Sequence, residues 1–155
     1  QVVKTPKIYF CDTGLVSYLL GIETPEQMIR DPLLGNIFEN FVVIEALKTR
    51  LNLGLEPNLY FFRNSNGLEI DLILQEQNKL KLFEIKSGKS LNDEFCRNMK
   101  NFSAKYNEDI VSDSTKGTVI YSGETYESYK DFGFYNFSKI PQLFESKTST
   151  FRLNF

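Results

Sequence analysis

The sequence predicts an α/β domain of the α+β kind, with a mixed central sheet flanked by helices. Three observations predict it. Residues 33–52, LLGNIFENFVVIEALKTRLN, keep a helical period through Leu34, Ile37, Phe38, Phe41, Ile44, Leu47 and Leu51. Three short apolar runs follow at close spacing, 58–63, 68–75 and 80–87, rich in aromatic or branched residues. A second amphipathic stretch, 92–105, carries Phe95, Met99 and Phe102 and leads to the glycine-bounded run 117-GTVIYSG-123. A chain of 155 residues suits one domain and buries roughly 70% of its unfolded surface.

The elements are justified in chain order. Residues 7-KIYFC-11 are β-prone. Asp12 and Thr13 offer caps for a short helix through Leu15, Val16, Leu19 and Leu20, stopped by Gly21. Pro25 and Glu26 open a brief helix over 24–30. The long helix ends at Gly54 and Pro57, and strand 58-NLYFFR-63 follows. Asn64 to Gly67 make a turn into strand 68–75. The polar cluster 75-QEQNK-79 turns that strand back into 80–87. After the second helix come strands at 117–123 and 132–137, a short helix at 138–145 and a tail, 146–155, expected to be poorly ordered.

Composition excludes several chemistries. Histidine is absent, which removes the commonest general base and zinc ligand and every Ser-His or Cys-His nucleophile. Catalysis, if present, rests on carboxylates, lysine, tyrosine or a metal. Cys11 and Cys96 have no metal-site spacing, so reduced thiols in a cytoplasmic protein are expected. No apolar run is long enough to span a membrane and no signal peptide is visible. The net charge of −2 argues against strong nonspecific binding to nucleic acid, where phosphate neutralisation dominates. The chain begins at Gln1, as expected for a fragment of a longer protein, though processing would give the same start.

The hairpin 68–87 carries charge where strands usually avoid it. A two-residue loop at Gln77-Asn78 sets Asp71 across from Glu84 and Glu69 across from Lys86, all four on one face, with Leu68, Ile70, Leu72 and Leu74 on the other. Opposed carboxylates have Cβ atoms ~5 Å apart and repel. A divalent cation, Mg²⁺ or Mn²⁺, relieves the conflict, since both take oxygen ligands. Lys86 points to the same side and is placed to orient a water or hold transition-state charge. The plain alternative is a Glu69–Lys86 ion pair with solvated acids. Leu80 and Leu82 share the charged face, however, and partly buried carboxylates need partners.

An acid on one strand followed by Glu-x-Lys on the next resembles the PD-(D/E)xK nuclease core of the restriction-endonuclease-like fold. The segments PKIYFCDTGL (6–15), GNIFENFVVIEAL (35–47), LYFFRNSNGLEIDLIL (59–74) and KLFEIKSG (81–88) together resemble a family of C-terminal domains of uncharacterised function that follow an AAA+-type P-loop ATPase module. The resemblance implies Asp71, Glu84 and Lys86 as catalytic residues, with Glu39 as the helix acid. Asp71, Glu84 and Glu39 are then the implied metal ligands. Glu45 is left open between a site role and a helix-surface partner for Lys48 or Thr49. Asp12 fits the family's Asp before Gly-Leu but reads better as a helix cap, and Arg63 serves either a phosphate or a surface ion pair.

An upstream ATPase domain is implied and does not lie within these residues. The segment 87-SGKS-90 is no phosphate loop, because Phe83 stands where a Walker A glycine belongs. The expected activity is metal-dependent hydrolysis of DNA or RNA, with Mg²⁺ or Mn²⁺. The rivals are a non-catalytic interaction or regulatory module of the ATPase and a purely structural salt-bridged hairpin.

Overall fold

The structure, a computed structural model, describes residues 6–106, 111 and 116–146. Helices α1 (Thr13–Leu19), α2 (Pro25–Arg30) and α3 (Leu34–Asn52) precede strands β1 (Leu59–Arg63), β2 (Glu69–Glu76) and β3 (Lys79–Lys86). A 3-10 turn, Asp93–Cys96, leads into α4 (Arg97–Tyr106). Strands β4 (Thr118–Tyr121), β5 (Tyr126–Tyr129) and β6 (Phe132–Asn136) follow, then α5 (Ile140–Phe144). The six strands form one mixed sheet in the order β1-β2-β3-β4-β6-β5. The β1–β2, β2–β3 and β5–β6 pairs are antiparallel, and β3–β4 and β4–β6 are parallel. This is the mixed, helix-flanked sheet that the sequence predicts.

Each face of the sheet is covered because the central strands β2, β3 and β4 carry buried apolar residues on both sides. On one face Val42, Val43 and Ala46 of α3 pack with Leu72, Leu74, Phe83, Ile85 and Ile120, joined by Ile140 and Phe144 of α5. On the other, Met99 and Phe102 of α4 pack with Ile70, Ile73, Leu82, Val119 and Phe134. A fully buried Leu or Phe contributes about 1.5–3 kcal/mol. Phe83 is fully buried and stacks on Phe144 at 4.7 Å. Its truncation to Ala would cost about 3–5 kcal/mol.

Local signals explain most boundaries. The Asp12 carboxylate accepts from Leu15 N–H at 3.0 Å and caps α1, so Asp12 is a structural cap. Thr24 and Gln27 form a capping box on α2, with Pro25 in its first turn. Asn64 Oδ1 accepts from Asn66 and Leu68 N–H, both at 3.0 Å, and closes the β1–β2 turn.

Two elements differ from expectation. Residues 7–10 make no strand; Phe10 instead exchanges backbone hydrogen bonds with the Asn40 side chain. Strand β5 was not foreseen. It joins β6 through Lys130-Asp131, both in the left-handed region with φ 48° and 72°. That geometry normally announces itself as Asn-Gly, and here the residue types hide it. The tail from residue 147 lies outside the described residues.

Candidate functional site

The hairpin turn is the predicted two-residue loop, with Gln77 at φ 54° and Glu76 opposite Lys79. The expected register holds from there to Leu72 opposite Phe83. Beyond that pair the ladder changes. On the other side of β2, Tyr60 pairs with Ile73 but Phe62 pairs with Ile70, so Asp71 and Leu72 together oppose the single Phe61. This is a β-bulge, a device that re-aims a side chain. Its consequence is visible in the core: Ile70 packs with Ile73 and Leu82, while Leu72 and Leu74 pack on the opposite face. The expectation that Ile70 shares a face with Leu72 is thereby corrected, since the extra residue breaks strict alternation.

The Asp71 carboxylate uses the break. Its Oδ2 accepts the Ile85 N–H at 2.8 Å, a donor otherwise free for a strand partner. Burial pushes Asp71 above the usual carboxylate range. The Ile85 N–H, Lys86 and Lys7 pull it back, while Glu39 adds to the rise.

On β3, Glu84 is only 4% exposed. Its Oε1 accepts from Lys86 Nζ at 2.7 Å, yet its Oε2 is buried with no hydrogen-bond partner. Burial and then the Asp71 charge push Glu84 from 4.5 up to about 7, against the pull of Lys86. Burial pulls the Lys86 ammonium down, but Glu84, Asp71 and Glu39 outweigh it and hold it charged. Lys86 Nζ also lies 6.0 Å from the centre of the Phe95 ring. The expected Glu69–Lys86 pair does not form. The bulge separates the two, and Lys86 takes Glu84 on its own strand.

Glu69 and Glu39 belong to a neighbouring network. Lys7 Nζ bridges Glu39 Oε1 at 3.0 Å and Glu69 Oε1 at 2.7 Å. Tyr9 OH donates to the same Glu39 oxygen at 2.9 Å. Arg63 approaches Glu69 Oε2 at 3.6 Å. Burial lowers Lys7, but its bonds to Glu69 and Glu39 raise it on balance. Burial and the Glu39 charge both raise Tyr9. Asp71 is the electrostatic link, feeling Lys86 on one side and Glu39 with Lys7 on the other.

The structure therefore brings Asp71, Glu84 and Lys86 together and places Glu39 beside them, already engaged by Lys7 and Tyr9. Among the described residues, no three acidic, cysteine or histidine side chains gather in metal-holding geometry. Glu45 pairs with Lys48 at 2.9 Å, and its carbonyl accepts the Thr49 hydroxyl at 2.8 Å, so it serves the helix surface. Lys7 and Tyr9 are the participants that sequence reasoning missed. Their alternation in 7-KIYF-10 was the available signal, and it read as a strand.

Arg50, 4% exposed, was missed as well. It donates to the Glu56 carbonyl, to Glu76 and to the Phe144 carbonyl, tying α3 to β2 and α5. Cys11 and Cys96 are both free, and burial raises the Cys96 thiol to about 11. No helix among the described residues is long and apolar enough to cross a membrane.

Residues 34–143 match the profile of the family described as Domain of unknown function (DUF4143). Two relatives are Uncharacterized protein Mb2031c of Mycobacterium bovis and Uncharacterized protein Rv2008c of Mycobacterium tuberculosis. Each is 40% identical over 84 residues, covering 54% of this chain and 18% of the relative. The match thus spans less than a fifth of the length of these curated relatives. No solved structure gives a significant match.

Proposed function

We propose, from the premise that the chain belongs to the family described as Domain of unknown function (DUF4143), that Asp71, Glu84 and Lys86 form the centre of a metal-dependent phosphodiesterase acting on nucleic acid. The observation that carries this reading is Glu84 Oε2, a carboxylate oxygen buried without a partner near the half-buried carboxylate of Asp71. Such an oxygen costs roughly 1–3 kcal/mol, and more when charged. Asp71 and Glu84 would be the residues to hold a hard divalent cation, which would remove that cost. The donor set fits Mg²⁺ or Mn²⁺, because both ligands are carboxylates.

When bound, such a cation supplies Lewis acidity at a phosphoryl oxygen. The chain's own residues do the rest. Lys86, its side chain 37% exposed and held charged, is placed to orient a water or to steady negative charge developing on the phosphate. Asp71, fixed by the Ile85 N–H, sets the position of the site at the strand break. Helix acid, strand acid and Glu-x-Lys follow one another as in the PD-(D/E)xK core, and the restriction-endonuclease-like assignment is part of the proposal. So is an attached P-loop ATPase module in a longer protein. The test is incubation of the domain with supercoiled plasmid, single-stranded DNA and RNA in Mn²⁺. Cleavage is expected, and cleavage that persists in Lys86→Ala rejects the assignment.

One observation favours a second reading. Lys86 already pairs with Glu84, and Lys7 is shared between Glu39 and Glu69, with Arg63 approaching Glu69. A self-compensated cluster suits a non-catalytic interaction or regulatory module of an ATPase. Mn²⁺ calorimetry separates the two, because a non-catalytic module shows no binding that Asp71→Ala removes.

A further inference from the structure

The segment Pro6–Phe10 crosses α3 without belonging to any helix or strand. Its two inward side chains both end on Glu39: Lys7 Nζ at 3.0 Å and Tyr9 OH at 2.9 Å from the same oxygen. Lys7 also holds Glu69 at 2.7 Å, so one ammonium sits between two carboxylates that flank Asp71. The segment is anchored by polar contacts. Phe10 N–H donates to Asn40 Oδ1 at 2.7 Å, and Asn40 Nδ2 donates to Phe10 O at 3.0 Å. Lys7 Nζ lies 5.5 Å from the centre of the Phe61 ring. Apolar anchoring is confined to Tyr9, which packs against the core beneath α3, since Ile8 is 84% exposed and Phe10 half exposed. A segment with little buried apolar area opens at small free-energy cost. A cavity of about 550 Å³ adjoins it, lined in part by Lys7, Tyr9, Glu39, Arg63 and Glu69, and gives solutes access to the network.

Resting on the reading of Asp71 and Glu84 as a cation site, we infer that Pro6–Phe10 is an autoinhibitory latch: Lys7 and Tyr9 keep Glu39 out of the ligand set, and lifting the segment releases Glu39 to join Asp71 and Glu84. Seated, the latch supplies a positive charge where a third carboxylate ligand would be needed. The incoming cation therefore meets repulsion from Lys7 as well as the loss of one ligand. Released, Glu39 and Glu69 are left with excess negative charge beside Asp71, which favours a divalent ion. The buried, partnerless Glu84 Oε2 marks where the ion is wanted even while the latch is shut.

The test is calorimetric titration of Mn²⁺ into the wild type, Lys7→Met, Lys7→Arg, Tyr9→Phe, Lys7→Met/Glu39→Gln and Glu84→Gln, with circular dichroism to establish folding. Lys7→Met is expected to bind Mn²⁺ about tenfold or more tighter than the wild type, Lys7→Arg like the wild type, and Tyr9→Phe in between. The gain of Lys7→Met should vanish in Lys7→Met/Glu39→Gln. Should Lys7→Met fail to fold, Tyr9→Phe, which removes one hydroxyl and no charge, decides. An unchanged affinity in the folded variants, or a gain that survives Glu39→Gln, overturns the latch. If Glu84→Gln abolishes wild-type binding while Lys7→Met gains nothing, the latch fails and the Asp71–Glu84 site stands. If Glu84→Gln binds as the wild type does, the Asp71–Glu84 site fails and the latch, which withholds a ligand from that site, fails with it. Absence of Mn²⁺ binding in every variant overturns both.

Discussion

Replacing Glu84 with Gln probes the strain at the centre of the hairpin directly. In the unfolded chain this carboxyl titrates near 4.5; in the fold, burial and the Asp71 charge lift it to about 7. The folded state thus holds a proton that the unfolded state has released, and stability falls as pH rises through that interval. Below 4.5 both states are protonated and nothing is lost. Above 7 both are ionised, and the loss is complete, on the order of 3 kcal/mol for a displacement of this size. Gln cannot ionise and keeps an acceptor for Lys86 Nζ. Glu84→Gln should therefore stabilise the protein by about 1–3 kcal/mol at pH 8 and leave it almost unchanged at pH 4. Urea unfolding at both pH values in the presence of a chelator measures the difference. A variant that is destabilised at pH 8, or whose effect is the same at both pH values, would refute the strained-carboxylate account. Adding Mn²⁺ should recover stability in the wild type and not in the variant, as ligand linkage requires.

Three further outcomes follow from the packing. Arg50→Met should cost about 2–4 kcal/mol in urea unfolding, because it strips donors from Glu76 and from the Glu56 and Phe144 carbonyls. Gly123→Ala should cost about 1–3 kcal/mol, since a Cβ there runs into the Lys89 carbonyl and the Tyr121 ring; a neutral result would mean that this loop is not held as described. Asp12→Ala should cost about 1 kcal/mol through the lost α1 cap, while Asp12→Asn should cost far less. Mn²⁺ binding should be indifferent to both Asp12 changes if Asp12 is only a cap.

The sequence by itself determined the helices and the hairpin. Periodicity located α3, polar clusters located the turns, and the two-residue loop at Gln77-Asn78 set the register of β2 on β3 as far as Leu72 opposite Phe83. These are near-neighbour effects, encoded within a few residues of where they act. Leu80 and Leu82 on the charged face also forecast the burial of Glu84. Tertiary structure alone decided the rest. The bulge at Asp71 depends on β1 pairing with β2 one residue out of step, and no residue in β2 announces it. Lys7 and Tyr9 meet Glu39 across about thirty positions of sequence, and the alternation that puts them on one side is the same pattern a strand would show. Charges find partners by distance in space, through 1/r attraction and shared burial. The sequence could name the acids, but only the folded chain could say which cations would hold them.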